Sequence, residues 1–269
     1  MFIHNFDPVL VDFGFFQIRW YSVAYILGIL IGWIYANKII KSTANNQYNF
    51  RQITPEMFDD LIIFLVIGII LGGRLGYVLF YNLDYYSQNF LDIFKLWQGG
   101  MSFHGGLLGV VLSTIIFSKK THSNFFKFSD IISCVAPIGI FLGRIANFIN
   151  GELYGKITTL PWGVIFPNGG NLYRHPSQIY EAALEGIFLF FLINYLAFKK
   201  KFLYRPGYIS AFFLILYSIL RIFSEIFREP DIHLGLLFNY FSMGTLLSLL
   251  TIFFGLFIIL FLKNNERNN

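Results

Sequence analysis

Gly143-Arg144-Ile145-Ala146-Asn147-Phe148-Ile149-Asn150-Gly151-Glu152-Leu153-Tyr154-Gly155 closes an apolar run that begins near Ile131. An arginine, two asparagines and a glutamate stand where a membrane-spanning helix should be ending. An ionisable side chain at the centre of a bilayer costs about 2.5–3.5 kcal/mol on insertion scales, so it needs a partner or a task. On a helix, Arg144 and Asn147 share a face. Asn150-Gly151 suits a helix stop, because both residues tolerate the left-handed cap conformation. Glu152 then lies close enough to turn back towards Arg144. The competing reading is a buried ion pair that fixes helix packing.

Working outward, the chain has 269 residues, of which 56% are hydrophobic and 13% charged, and its mean hydropathy is +0.60. Soluble domains carry about 25% charged residues. The fold class is therefore all-α: a polytopic membrane protein rather than a soluble enzyme. Seven apolar runs are long enough, or nearly so, for a bilayer core that takes about 20 residues to cross. They are roughly Ile18–Asn37, Leu61–Tyr81, Ser102–Ser118, Ile131–Ile149, Gln178–Phe198, Tyr208–Phe227 and Tyr240–Leu262. Residues 1–17 are too short and broken to span, and are expected along the membrane surface. No internal repeat or low-complexity linker divides the chain, so it reads as one integral-membrane domain. Residues 152–174, with Pro161, Pro167 and Gly169-Gly170, are too polar to span and form a small extracytoplasmic cap.

The formal charge of +5 does not point to nucleic acid, since no basic stripe interleaves with aromatics. The connections after spans one, three and five and the C-terminal tail hold three, three, four and two Lys or Arg; the opposite side holds five. The positive-inside rule places the N-terminus outside and the C-terminus in the cytoplasm. No charged n-region precedes a short apolar core, so no cleavable leader is expected. Cys134, the lone cysteine, excludes an intrachain disulfide and a cysteine-based zinc cluster, and sits where a small core residue belongs. No ligand set with convincing spacing suggests a metal, and no cofactor is expected.

With that orientation, Arg74, Arg144 and Arg221 lie near the outer ends of spans two, four and six. Tyr21, His104 and His175 lie at the outer beginnings of spans one, three and five. Polar groups from six helices thus gather at one face. Gly68, Gly72 and Gly76 form a small-residue ridge for close helix approach. Arg74 among them needs a partner, a lipid phosphate or a carboxylate. Gly99 to Gly109 opens span three, where exposed amides such as that of Gly105 and a helix N-terminus suit an anion. His104 there can take a proton. Tyr217, Arg221, Glu225 and Arg228 fall on one stripe of span six, and Arg221 can pair with Glu225. Ser177 has no positioned base-and-acid pair beside it, so a serine nucleophile is not expected. Arg144 and Arg221 offer forked donors that fit a phosphate. A phosphate at an apolar membrane face means a phospholipid, and such donors stabilise it as a leaving group.

The pattern Gly143-Arg144-x-x-Asn147-Phe148-x-Asn150-x-Glu152-x-x-Gly155 resembles the signature of prolipoprotein diacylglyceryl transferases. Gly99-Gly100-Met101-Ser102-Phe103-His104-Gly105-Gly106, Arg174-His175-Pro176-Ser177-Gln178-Ile179-Tyr180-Glu181 and the stretch from Arg221 to Pro230 agree with it. The resemblance runs from about Trp20 to Met243. Arg19-Trp20-Tyr21-Ser22 departs from the His-Trp-Tyr-Gly of many members, and the cap is short for the family. The resemblance implies a bacterial inner-membrane enzyme with phosphatidylglycerol as donor. The acceptor is the lipobox cysteine of a prolipoprotein, presented by its signal peptide. The thiolate attacks the glycerol carbon bonded to phosphate, forms a thioether and releases glycerol 1-phosphate. On this reading Arg144 and Arg221 bind the phosphate, oriented by Glu152, Asn147 and Glu225. Tyr217, Gly105 and Arg74 join the lipid site, and His104 or Tyr21 assists the proton or headgroup. The alternative is a lipid-binding protein or transporter without chemistry. Transporters often show inverted repeats and midplane polar residues, and this chain shows neither.

Overall fold

The apolar run that ends at Arg144 is a helix because nothing in a bilayer but a helix satisfies its own backbone locally. The computed structural model describes residues 2–15, 17–43, 53–229 and 242–268. Eight principal helices occur among them: α1 (Trp20–Thr43), α2 (Pro55–Tyr81), α3 (Leu83–Gln88), α4 (Phe103–Lys120), α5 (Phe125–Ile149), α6 (Ser177–Lys199), α7 (Tyr208–Glu225) and α8 (Met243–Asn268). Six of these, α1, α2, α5, α6, α7 and α8, are long and apolar enough to cross a membrane. The third expected span is a helix, α4, but not one of the six. It has 18 residues, opens beside His104 and closes on Lys119-Lys120, so polar ends dilute its apolar middle. Tyr240, the expected start of the last span, lies outside the described residues, as do Arg51 and Pro230.

The protein is mostly helical rather than purely so. Short strands β1 (Phe2–Ile3) and β4 (Val164–Ile165) pair in parallel, and β2 (Val9–Asp12) pairs antiparallel with β3 (Gln17–Arg19). The first residues are therefore partly tied to the cap segment. An apolar dipeptide found backbone partners there, with His4 N donating to Ile165 O at 2.9 Å.

The chain divides into two compact units: Asn37–Ser129, and the residues before and after it. In the first, α2 starts at Thr54, whose hydroxyl accepts from Met57 N, with Pro55 following. The glycine ridge does what its spacing predicts. A methyl at Gly68 would sit 2.6 Å from the Gly109 carbonyl oxygen, and one at Gly76 would sit 2.8 Å from the Gly105 α-carbon. Ser113 Oγ donates to the Phe64 carbonyl at 2.8 Å across the same contact.

In the other unit, α5 and α6 approach closely at Gly186, where a methyl would meet Phe141 Cβ at 2.6 Å. Cys134 is buried in α5, and its carbonyl accepts from Asn194 of α6 at 3.1 Å. The start of α7 is capped from another helix. Asp130 of α5 accepts from Gly207 N at 2.7 Å, from Ser210 N at 2.8 Å and from Ser210 Oγ at 2.6 Å. A carboxylate at a helix N-terminus is favourable for both hydrogen bonding and the helix dipole. The segment 152–174 draws together the end of α5, the start of α6 and the end of α7. Gly155 N donates to His175 O, Lys156 N to Phe227 O and Thr158 N to Tyr173 O, all within 2.8–2.9 Å. Gly155 must be glycine at this crossing, since a methyl would lie 2.6 Å from His175 Cβ.

Candidate active site

Three helices meet at a cluster of six ionisable side chains. From α5, Arg144 Nη1 lies 3.1 Å from Glu181 Oε2 and its Nη2 3.0 Å from Glu185 Oε2. From α7, Arg221 Nη1 lies 2.7 Å from Glu181 Oε1 and 3.7 Å from Glu185 Oε1, and its Nη2 is 2.6 Å from Glu225 Oε2. Arg228, in the turn after α7, reaches Glu181 Oε1 at 3.3 Å. Three guanidiniums therefore face three carboxylates, and Glu181 is shared by all three arginines. Taking a carboxylate out of water costs several kcal/mol even after relaxation, so such groups persist only when paired this closely.

The cluster is layered. Glu181 and Glu185 have side chains that are 0% exposed, whereas Arg144 retains 16% and Arg221 11%. Glu181 and Glu185 form a buried backing, and the Arg144, Arg221 and Glu225 side chains keep the remaining exposure. Two local features put the acids there. Glu181 and Glu185 are four apart on α6, and the helix widens to a π-helical stretch over Ala182–Phe188. Next to Glu185, Gly186 lets the α5 backbone come in at Phe141, one turn before Arg144.

The tail of the opening motif forms a second layer beside the arginines. Asn147, with its amide nitrogen turned to satisfy both neighbours, donates to Glu152 Oε1 at 3.1 Å and to Gly143 O at 3.2 Å. Asn150 Nδ2 approaches the same Glu152 oxygen at 3.4 Å. Gln178 Nε2, fully buried, holds the Glu152 carbonyl at 2.5 Å. Partial burial pushes the Glu152 carboxyl above the usual glutamate range, against a smaller opposing effect from Asn150. Tyr21 is near enough to feel the charges of both Glu152 and Arg144. Tyr217 similarly feels Glu185, Arg144, Arg221 and Glu181.

The expected return of Glu152 to Arg144 does not occur. Gly151 and Leu153 both take positive φ, +66° and +56°, and turn the chain into the cap. Arg144 finds Glu181 and Glu185 instead. Glu185 was not singled out from sequence, nor was Glu181 assigned to the site. The usable signal was two carboxylates one turn apart inside an apolar run, the same argument that flags Arg144. The expected Arg221–Glu225 pair is present.

Arg74, His104 and Gly105 belong to the other unit. Arg74 does have partners, but they are neither phosphate nor carboxylate. Its Nε donates to Ile93 O at 2.8 Å, its Nη1 to Gly99 O and to Gly100 O at 3.2 Å, and its Nη2 to Asp92 O at 2.6 Å and Lys95 O at 3.2 Å. The guanidinium also stacks on Tyr86 at 5.2 Å. Gly105 packs against α2, and its amide is taken by the Ser102 hydroxyl at 3.2 Å. His104 is exposed in the first turn of α4, edge-on to Phe103. Among the described residues, no group of three His, Cys, Asp or Glu side chains could hold a metal ion.

Residues 8–261 match the family described as prolipoprotein diacylglyceryl transferase. The chain is 50% identical over 256 residues to the phosphatidylglycerol–prolipoprotein diacylglyceryl transferase of Rickettsia felis, covering 95% of this chain and 96% of that one. The enzymes of the same name from Rickettsia canadensis and Rickettsia bellii are similar at 50% and 46% identity over the same length.

Proposed function

The chain belongs to the prolipoprotein diacylglyceryl transferase family, and from that premise we propose how its residues divide the work. The reaction itself is that of the family: the diacylglyceryl group of phosphatidylglycerol passes to the lipobox cysteine thiol of a prolipoprotein. A carbon–sulfur bond forms at the glycerol carbon. The carbon–oxygen bond to phosphate breaks, and its electron pair leaves on glycerol 1-phosphate.

The observation that supports the assignment is the layered cluster. Arg144 and Arg221 keep partial exposure, whereas the Glu181 and Glu185 carboxylates that they grip are fully buried. The phosphate docks on those two guanidiniums. Glu181, Glu185 and Glu225 fix the forks in direction and keep the unloaded site near neutrality. Charge aimed in advance at the departing phosphate lowers the barrier without reorganisation at the moment of reaction. Asn147 and Glu152 bond each other one turn beyond Arg144, and Tyr21 and Tyr217 sense the same charges. His104 takes the thiol proton or holds the headgroup. A free thiol is only a few per cent thiolate at neutral pH, so an acceptor for its proton matters. Gly105 serves the α2–α4 contact, and Arg74 is left out of the phosphate site because backbone carbonyls engage its donors.

The protein is a multi-pass membrane protein, and its bacterial relatives imply the inner membrane. On our reading α4 is a seventh crossing, the N-terminus is outside, and the cap and cluster face outward, as the Lys and Arg distribution favours. Reporters fused after Asn82 or Gly170 should then be active outside the cytoplasm, and those after Lys120 or Lys200 silent. The opposite pattern reverses the orientation.

The test of the roles uses purified protein in phosphatidylglycerol vesicles with a prolipoprotein acceptor, following glycerol 1-phosphate release against acceptor diacylation. If His104 is the base, His104→Gln loses rate at neutral pH and regains part of it by pH 9, as the thiol ionises unaided. A loss independent of pH removes the base role and leaves headgroup binding.

A further inference from the structure

The connection between α2 and α4 combines two properties that do not belong together in a water-exposed loop. The first is its surface. Phe90, Leu91, Phe94, Trp97 and Phe103 are each at least 66% exposed, with Trp97 at 80% and Leu91 at 75%. Single exposed apolar side chains are ordinary, but five large ones within 14 positions form a patch that marks an interaction surface. The second is its backbone. After α3 the chain runs through two short 3-10 turns, Phe90–Phe94 and Leu96–Gln98, and then Gly99-Gly100, an irregular stretch with few backbone partners for its carbonyls, although Asp92 O takes Lys95 N at 3.1 Å. In water those carbonyls need no help. Here five of them, from Asp92, Ile93, Lys95, Gly99 and Gly100, converge on Arg74. A guanidinium has five N–H donors, so the carbonyls of the segment and the donors of the arginine match in number.

Irregular backbone is tolerated at membrane depth only where its polar groups are satisfied internally. Arg74 supplies that condition from α2. The side chains agree. Lys95 Nζ pairs with Asp92 Oδ1 at 2.6 Å, and Tyr85 Oη donates to Asp92 Oδ2 at 2.7 Å, so the charges of the 3-10 turns cancel within the segment. The patch also continues an apolar surface: Leu75, Leu79 and Phe80 of α2, a membrane-spanning helix, are exposed just before it.

We propose that residues 83–103 form an interfacial membrane anchor, folded around the Arg74 guanidinium, that lays Phe90, Leu91, Phe94, Trp97 and Phe103 into lipid. The occupant of the patch is the bilayer, at the level where aromatic side chains and a snorkelling lysine are favoured. Arg74 is on this account a positioning residue. It shapes the segment that leads directly into α4, where Ser102 N is held by the Gly73 carbonyl at 2.8 Å.

Trp97 reports directly, because the protein itself leaves it uncovered. The intact protein and its Trp97→Phe variant are placed in phosphatidylglycerol–phosphatidylethanolamine vesicles, and the difference in their emission gives the Trp97 signal. Lipids brominated near the glycerol end of the acyl chain should quench that signal roughly twofold or more, with acrylamide having little access, as for an interfacial tryptophan. Free acrylamide quenching without lipid quenching overturns the proposal. Shielding from both quenchers also overturns it, since another protein surface then covers the patch. Arg74→Lys tests the hub: three donors cannot hold five carbonyls, so Trp97 should become accessible to acrylamide. If the variant folds and Trp97 stays in lipid, Arg74 does not organise the segment. If it does not fold, the comparison of intact protein with Trp97→Phe still decides the lipid contact.

Discussion

Arg74 and the Arg144–Arg221–Arg228 group are both arginines of membrane helices or their ends that are largely shielded from solvent, yet they are satisfied in opposite ways. Arg74 meets neutral carbonyls, which engage its donors and leave its charge uncancelled. The other three meet carboxylates, which cancel charge but are shared, so that one glutamate serves three cations. A carbonyl-bound arginine is a structural hub: its geometry is fixed and no lobe is open. A carboxylate-bound arginine that keeps partial exposure stays available to a second anion. What surrounds a buried cation, rather than its presence, separates scaffold from site.

The largest effect that could break this contrast is at the shared acid. Glu181→Ala leaves three guanidiniums facing two carboxylates, and should cost about 3–5 kcal/mol of stability, the usual penalty for stripping one partner from a buried charge. Thermal unfolding in detergent measures it; an unchanged midpoint would mean the six charges are not one unit. Next comes Arg144→Lys. One ammonium cannot span Glu181 and Glu185 and also offer a fork to phosphate. Transfer should fall roughly a hundredfold to a thousandfold, as for loss of a well-placed transition-state donor. A folded variant with near-native rate would sink the phosphate assignment.

Arg74→Lys sharpens the comparison from the other side. Its expected signature is lowered thermal stability, with the folded fraction keeping its turnover within about tenfold, since losing a hydrogen bond to charge costs about 1.5–3 kcal/mol in folding. A drop in turnover matching that of Arg144→Lys, at unchanged stability, would place Arg74 in the chemistry. The smallest effect concerns Glu152. Its carboxyl sits above the usual glutamate range because burial disfavours the charge. A raised folded value contributes stability that is present below the ordinary value near 4.3 and is lost as pH rises through the folded one. Glu152→Gln imitates the protonated form, so from pH 4 to 8 its unfolding midpoint should gain slightly on that of the unchanged protein. Parallel curves would show that the carboxyl titrates alike folded and unfolded.

The helices were legible because lipid demands long apolar runs, but their ends were not. The second run was expected from Leu61, whereas α2 starts at Pro55, since Thr54 caps it and extends it through Asp59-Asp60. The fourth was expected from Ile131; α5 starts at Phe125 because Asp130 is matched by the amides opening α7. In the site, Arg144, Asn147, Glu152, Arg221 and Glu225 stood out as polar breaks in apolar sequence, and the structure gathers them in one unit. Glu185 was passed over although the same reasoning applied to it. The partners of Arg74 could not have been read at all, because every residue has a carbonyl and only the fold selects five of them.

The pairing of β1 with β4 has a consequence for biogenesis. Phe2 lies against Val164, which follows it by 162 positions. At a synthesis rate of about 5–20 residues per second, the first strand waits roughly 8–30 s before its partner exists. The other edge of the cap meets Phe227 and Glu229, made later still. The segment 152–174 is thus assembled with pieces emerging at the beginning, middle and end of translation. Ribosome-stalled chains should show this as protease sensitivity at residues 152–174 in every intermediate released before Glu229 has left the ribosome. Early resistance would mean that the cap closes on local contacts alone. Until the last piece arrives, the chain that follows Arg144 and Asn147 would be synthesised and inserted with its backbone edge unpaired.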